Sequence, residues 1–224
     1  MVGGQGVIYA PERGYLFIHI PKTGGTSLAL ALEDKAGKDD VMAGDTPKAL
    51  KRRRRLKGLP ANGRLWKHST LADLDGWLSA AQLAELHVFT IVRNPWDRLV
   101  SYYHWLREQS FDHPAVSLAQ QLAFSDFLAH RHTQASLAAA PYASYVTDAS
   151  GTEQCSRFLR FEHLAEDTAA LGEELGLSLN LPHVNRSNRP RDYRPFFTES
   201  DVTLVEKTLK EDIQRFGYRF DGGN

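Results

Sequence analysis

The chain has a single cysteine, Cys155, among its 224 residues, so it can form no intrachain disulfide and no cysteine-based metal cluster. It has no excess of either charge. Twenty-seven Lys and Arg balance 27 Asp and Glu, which excludes the broad basic footprint of a general nucleic-acid binder while leaving room for a local basic site. No apolar run approaches the ~18 residues of a membrane span, and Met1 to Gly6 lacks the basic and apolar regions of a secretory leader. Internal repeats and low-complexity tracts are also missing. A soluble chain is expected. What is present, 42% apolar and 24% charged residues, suffices for one sizeable core, and one domain over residues 1–224 is expected.

The first strong strand signal is Tyr15-Leu-Phe-Ile-His-Ile20, apolar apart from His19, as a buried central strand requires. It runs into Pro21-Lys-Thr-Gly-Gly-Thr-Ser27, and Leu28 to Glu33 reads as a helix whose free amides Thr26 or Ser27 can cap. Ahead of it, Val7 to Ala10 and Pro11 to Gly14 read as a short strand and turn. A second buried strand, His87 to Val92, ends in Arg93-Asn-Pro-Trp before a helix over about 97–107. Further helices are expected over 117–130, 164–175 and 199–216, with a third strand at Arg157 to Phe161. Strands alternating with helices predict an α/β fold with a parallel sheet covered on both faces.

Residues 34–68 read as an insertion broken by glycines and prolines, with segregated charge. Acids at Glu33, Asp34, Asp39, Asp40 and Asp45 precede nine cations, Lys48, Lys51, Arg52, Arg53, Arg54, Arg55, Lys57, Arg64 and Lys67, with no acid among them. Thr70 with Asp73, and Ser79 with Gln82, predict two short capped helices.

Two turns carry the chemistry. In 21–27, Gly24 and Gly25 let the backbone bend around an anion while amides at the helix start point toward it, and Lys22, Thr26 and Ser27 add a charge and two hydroxyls. The lysine precedes the glycines, unlike the order in ATP- and GTP-binding loops. A plain capped βα turn is the competing reading. In the second turn, Ser101 lies seven residues beyond Asn94, nearly two helical turns or about 10 Å, so Arg93 and Ser101 can meet one terminal phosphate. The alternative pairs Arg93 with a carboxylate.

These residues resemble the 3′-phosphoadenosine-5′-phosphosulfate (PAPS) dependent sulfotransferases, especially the branch that sulfates carbohydrates. Pro21 to Ser27 is similar to the loop that holds the 5′-phosphosulfate, and Ile91-Val-Arg-Asn-Pro-Trp-Asp-Arg-Leu-Val-Ser-Tyr-Tyr103 to the segment that binds the 3′-phosphate. Weaker similarity runs through 160–164, 182–187 and 212–218 and leaves the insertion uncovered. The resemblance implies a single-domain, P-loop-like α/β fold with a parallel sheet of about five strands flanked by helices. It implies transfer of a sulfuryl group from PAPS to an acceptor hydroxyl or amine, that of a carbohydrate or glycoconjugate, without a metal. Lys22, Thr23, Gly24, Gly25, Thr26, Ser27, Arg93 and Ser101 are the implied cofactor residues, with Arg186 and Ser187 as further phosphate contacts. Lys22 is the implied electrostatic catalyst. Branch members often sit behind a membrane anchor, but with no such segment and no disulfide pair a cytoplasmic enzyme fits this chain better.

An acceptor hydroxyl must lose a proton, and His68 is the expected base: it precedes a helix start, whose dipole favours neutral imidazole, and its place resembles that of the family's histidine. His19, mid-strand, is its rival and reads as a satisfied core histidine. Glu33 reads as a solvated or salt-bridged helix carboxylate, and Glu162 as support for the site. The nine cations are either a solvated face or a collector of anionic acceptors; the second reading predicts that replacing Arg52 to Arg55 by Ser raises the acceptor KM. Arg186, Arg189, Arg191 and Arg194 lie in a loop that either closes over the cofactor or forms surface ion pairs. His130 and His132 have no third ligand in view and read as helix-end residues. Trp96, Tyr102, Tyr103 and Trp105 read as helix core or as stacking surfaces. The competing functions are a nucleotide-dependent kinase and a non-catalytic module for a nucleotide or an anionic polysaccharide.

Overall fold

The two buried stretches 15–20 and 87–92 form the parallel centre of a five-stranded sheet in the computed structural model, which describes residues 6–182 and 190–222. Along the chain come β1 (Gly6–Ala10), β2 (Tyr15–Phe17), α1 (Gly25–Asp34), β3 (Val41–Gly44), α2 (Pro47–Arg52), α3 (Ala80–Ala84), β4 (His87–Val92) and α4 (Pro95–Arg107). They are followed by α5 (Pro114–Gln121), α6 (Phe124–Ala129), α7 (Arg131–Ala138), α8 (Tyr142–Tyr145), β5 (Arg157–Arg160), α9 (Leu164–Leu175), α10 (Glu199–Thr208) and α11 (Lys210–Phe216). The chain packs as two compact units, 1–92 with 142–186 and 93–141 with 187–224.

The first unit holds the sheet, in the order β3-β1-β2-β4-β5. Strands β2, β4 and β5 are parallel, but β1 runs antiparallel to both β2 and β3, so the sheet is mixed rather than parallel throughout. Chain length decides this: only residues 11–14 join β1 to β2, far fewer than a parallel crossover needs. Side chains alternate between the two faces, with Tyr15 and Phe17 packing beside Leu28, Leu32 and Leu171, and Leu16 and Ile18 beside Leu71, Leu74 and Leu83. A strand buried on both faces explains the nearly continuous apolar run.

The insertion supplies an edge strand and a clasp. Thr46 caps α2 by accepting from the Ala49 amide at 3.1 Å and donates its hydroxyl to Glu33, while the Lys48 ammonium meets the Glu33 carbonyl. Arg52 donates to the carbonyls of Gly37 (2.7 Å) and Asp40 (3.3 Å), and Arg55 to those of Lys38 and Asp40. Two of the four consecutive arginines therefore hold loop backbone, and Glu33 is buried rather than solvated.

The second unit is helical. Trp96, Tyr103, Phe124 and Phe127 are buried in it, Trp96 edge-on to Phe220 at 5.8 Å, which settles Trp96 and Tyr103 as core. The expected helix 117–130 is two helices, because Leu122 is extended (ψ 148), and the expected 199–216 helix breaks at Leu209 (φ −110, ψ 29). Among the described residues, no helix is long and apolar enough to cross a membrane.

Candidate active site

β2 continues in effect past Phe17: the Ile18 amide donates to the Phe89 carbonyl at 3.0 Å, and the buried Thr90 hydroxyl donates to the Ile18 carbonyl at 2.7 Å. This pairing delivers Ile20 to the carboxyl end of a parallel strand, where open α/β sheets place their ligands. The chain then turns sharply. Lys22 has φ 66, the one non-glycine residue with positive φ among the described residues, and such strain concentrates at functional turns. The Thr23 hydroxyl, buried, ties the turn by donating to the Ile20 carbonyl at 2.8 Å.

Gly24, at φ 85, is the N-cap of α1. No side chain caps this helix and no acid occupies its first turn, an arrangement that suits an anion at its positive end. Thr26 and Ser27 lie inside that first turn and are not its caps. Space requires both glycines as well: a Cβ on Gly24, which also has positive φ, would enter the Phe161 ring, and one on Gly25 would enter the His19 imidazole, each well inside 3.0 Å. Phe161, which sequence reading took only as a strand end, thus packs directly against the loop; Glu162 beside it is exposed. Nothing in the spacing of residues 24 and 161 announces that contact.

His68 arrives from a segment held by buried Ser69, whose hydroxyl accepts from the Trp66 amide (2.8 Å) and donates to the Arg64 carbonyl (2.8 Å). The Thr70 and Asp73 pair forms as expected, but only a three-residue 3-10 turn, Ala72–Leu74, follows it. A turn so short has little dipole, so the expected dipole effect on His68 does not apply. Its proton is placed by another contact: Nδ1 lies 3.2 Å from the His19 carbonyl oxygen. A carbonyl only accepts, so Nδ1 carries the hydrogen, and in the neutral ring the lone pair is on Nε2.

The two imidazoles stack, 5.0 Å between centroids and 26° between planes. Burial pushes His19 well below the ordinary histidine range, with the neighbouring His68 ring and the charges of Lys67 and Lys22 acting the same way, so its ring is neutral. It is not the satisfied core histidine expected from the sequence: neither ring nitrogen has a hydrogen-bond partner. Gly25, His19, His68 and Trp66, the last edge-on to His68 at 5.1 Å, form one contiguous row. Lys22 to Ser27 and His68 are therefore brought together within the first unit.

Arg93 and Ser101 belong to the second unit. The Arg93 guanidinium donates to Asp97 through Nε at 2.8 Å and Nη2 at 2.6 Å, both groups being nearly buried, so the carboxylate reading of Arg93 is realised. Asn94 caps α4, accepting from the amides of Trp96 and Asp97, and donates to Tyr193 and to the Arg219 carbonyl. Ser101 is buried on α4. Arg186 and Ser187 lie outside the described residues. His130 caps α7 by accepting from the His132 amide, and among the described residues no three His, Cys, Asp or Glu side chains group to hold a metal ion.

A parallel strand that ends in a strained lysine and two sterically required glycines, opening an uncapped helix, defines an α/β protein whose βα turn has the chemistry to hold an anion. The sequence matches the Sulfotransferase family over residues 5–219, including the insertion, and the chain belongs to that family. It is also similar to the crystal structure of mouse sulfotransferase SULT7A1 complexed with PAP, at 15% identity and a TM-score of 0.46 over 88% of this chain and 82% of that one. No match was found among curated proteins.

Proposed function

We propose that the chain transfers the sulfuryl group of PAPS to a hydroxyl of a carbohydrate or glycoconjugate, in the cytoplasm. The observation that carries this reading is the row from the uncapped loop to the lone pair of His68: an anion cradle and a proton acceptor adjoin across the His19 ring. The residues fit a phosphosulfate donor, since the first turn of α1 offers amides without a competing cap or acid, beside the Lys22 charge.

Bound there, PAPS supplies an activated sulfuryl group on a phosphate leaving group. The amides of Gly25, Thr26 and Ser27 and the Lys22 ammonium oppose the negative charge on the phosphosulfate oxygens. His68 accepts the acceptor hydroxyl proton at Nε2 while its Nδ1–H stays on the His19 carbonyl, an orientation device like the partner that fixes a catalytic imidazole. Arg93 and Ser101 are proposed for the 3′-phosphate on the strength of their motif, with Asp97 as the carboxylate that must yield Arg93. Arg186 and Ser187 are proposed as additional contacts by the same resemblance.

Calorimetry with adenosine 3′,5′-bisphosphate, against ATP with Mg²⁺, tests the donor. Binding of the bisphosphate in preference to ATP is expected, and a preference for ATP overturns the reading. His68→Ala should retain bisphosphate affinity and lose sulfate transfer, by the 10²–10⁴-fold typical of a positioned base, roughly. Near-full activity in that variant would assign the proton elsewhere.

A further inference from the structure

The row of rings has two ends. Gly25, in the anion cradle, closes one end, and Trp66 closes the other, 5.1 Å from His68 and at 88° to it. A group whose proton is taken by His68 must approach from a side other than the cradle. Trp66 lies on such a side and is 38% exposed, one of few large apolar side chains so displayed. The Arg64 guanidinium lies over the Trp66 ring, 5.0 Å from its centroid, and no carboxylate of the described residues pairs with it. Both residues are exposed, yet their backbone is fixed by buried Ser69 and by the Gly63 amide, which donates to the Asp73 carbonyl at 3.0 Å. An exposed indole and an unpaired guanidinium on a pinned loop, beside a proton acceptor, are arranged for a ligand.

From this geometry we infer that Trp66 and Arg64 form the acceptor subsite, the indole taking the apolar face of a pyranose ring and the guanidinium a carboxylate or sulfate on it. The inference rests on the sulfotransferase reading of the same site, and it moves acceptor recognition away from the arginine run. Within that run Arg52 and Arg55 are committed to carbonyls, whereas Arg64 stands two residues from the indole and four from the base. The chemistry is matched term by term. Sugar rings present flat C–H faces that lie on aromatic rings, and a guanidinium pairs a carboxylate in a fork.

Two disaccharides that differ in charge serve as probes: unsulfated chondroitin disaccharide, which carries one carboxylate, and neutral N-acetyllactosamine. p-Nitrophenol is a planar, non-sugar control. Binding is measured by calorimetry and by the Trp66 indole N–H resonance, assigned through its loss in Trp66→Phe, with adenosine 3′,5′-bisphosphate present. The acidic sugar is expected to bind more tightly than the neutral one and to shift the Trp66 resonance. Trp66→Ala should weaken it about tenfold, with partial recovery in Trp66→Phe, and Arg64→Gln should weaken the acidic sugar about fivefold while sparing the neutral one. Arg53→Ser with Arg54→Ser should change neither.

Equal affinity for the two sugars in wild type, indifference to Trp66→Ala, or a Trp66 shift with p-nitrophenol alone overturns the subsite, as does the failure of every probe to bind. If the bisphosphate itself fails to bind the wild-type chain, the donor reading falls and the subsite falls with it. If the bisphosphate binds and only the sugar results fail, the donor reading stands.

Discussion

At the level of single residues, the loop was legible and its supports were not. Gly24 and Gly25 stood out because few other roles need paired glycines between a buried strand and a helix, and the structure adds that both Cβ positions are filled by rings. Strand position alone makes His19 a core histidine. Strand periodicity reports burial but is silent on hydrogen bonding, and this buried ring lacks a partner at both nitrogens. Its titration gives a prediction. The folded chain holds His19 neutral well below the ordinary range, while the unfolded chain takes up a proton near pH 6.5, so stability must fall as the pH drops below that value. The sign follows from linkage: where the unfolded state binds more protons, stability rises with pH. His19→Phe keeps a ring and removes the titration. Denaturant unfolding at pH 7.5, 6.5 and 5.5 should show wild type losing about 1 kcal/mol relative to this variant between the last two values. Parallel pH curves would remove the assignment.

Among elements, the strands and helix starts were readable from apolar periodicity, and the direction of β1 was available in principle from its four-residue link to β2. Helix lengths were not. The breaks at Leu122 and Leu209 fall at residues with good helix propensity, so the backbone there answers to packing, and propensity alone gave a continuous helix. β3 and α2 were hidden for a related reason: the charge pattern of 34–68 suggested open surface, whereas Arg52 and Arg55 cover carbonyls and Glu33 is buried. Burial pushes the Glu33 carboxyl up, and the Thr46 hydroxyl and Lys48 work against that shift. Thr46 therefore has two duties, capping α2 and donating to a buried carboxyl on α1. Thr46→Val removes both at nearly constant shape and should destabilise the chain by about 2–3 kcal/mol, whereas Thr46→Ser should remain within about 1 kcal/mol of wild type. Equal unfolding midpoints for Val and Ser would show that neither bond matters to α1 and α2.

Across the whole molecule, the balance of 27 cations against 27 anions removes any net charge that would draw an anionic donor over long distances. Salt sensitivity of bisphosphate binding must then come from the few cations within a Debye length, about 10 Å at 0.1 M, of the bound phosphates. Lys22, at φ 66, stands in the turn that opens α1, and Arg53 and Arg54 are exposed on the insertion. Raising salt from about 50 to 200 mM should weaken adenosine 3′,5′-bisphosphate binding measurably in wild type, and the slope should be shallower in Lys22→Ala. Arg53→Ser with Arg54→Ser, which removes two positive charges and gives the neutral chain a net charge of about −2, should leave the slope as it was. Were the slope to follow net charge instead, the double variant would change it at least as much as Lys22→Ala, and the local account of donor capture would be wrong. Calorimetry of the three proteins over that salt range separates the two, because a long-range field counts charges wherever they lie and the cradle counts only those at hand.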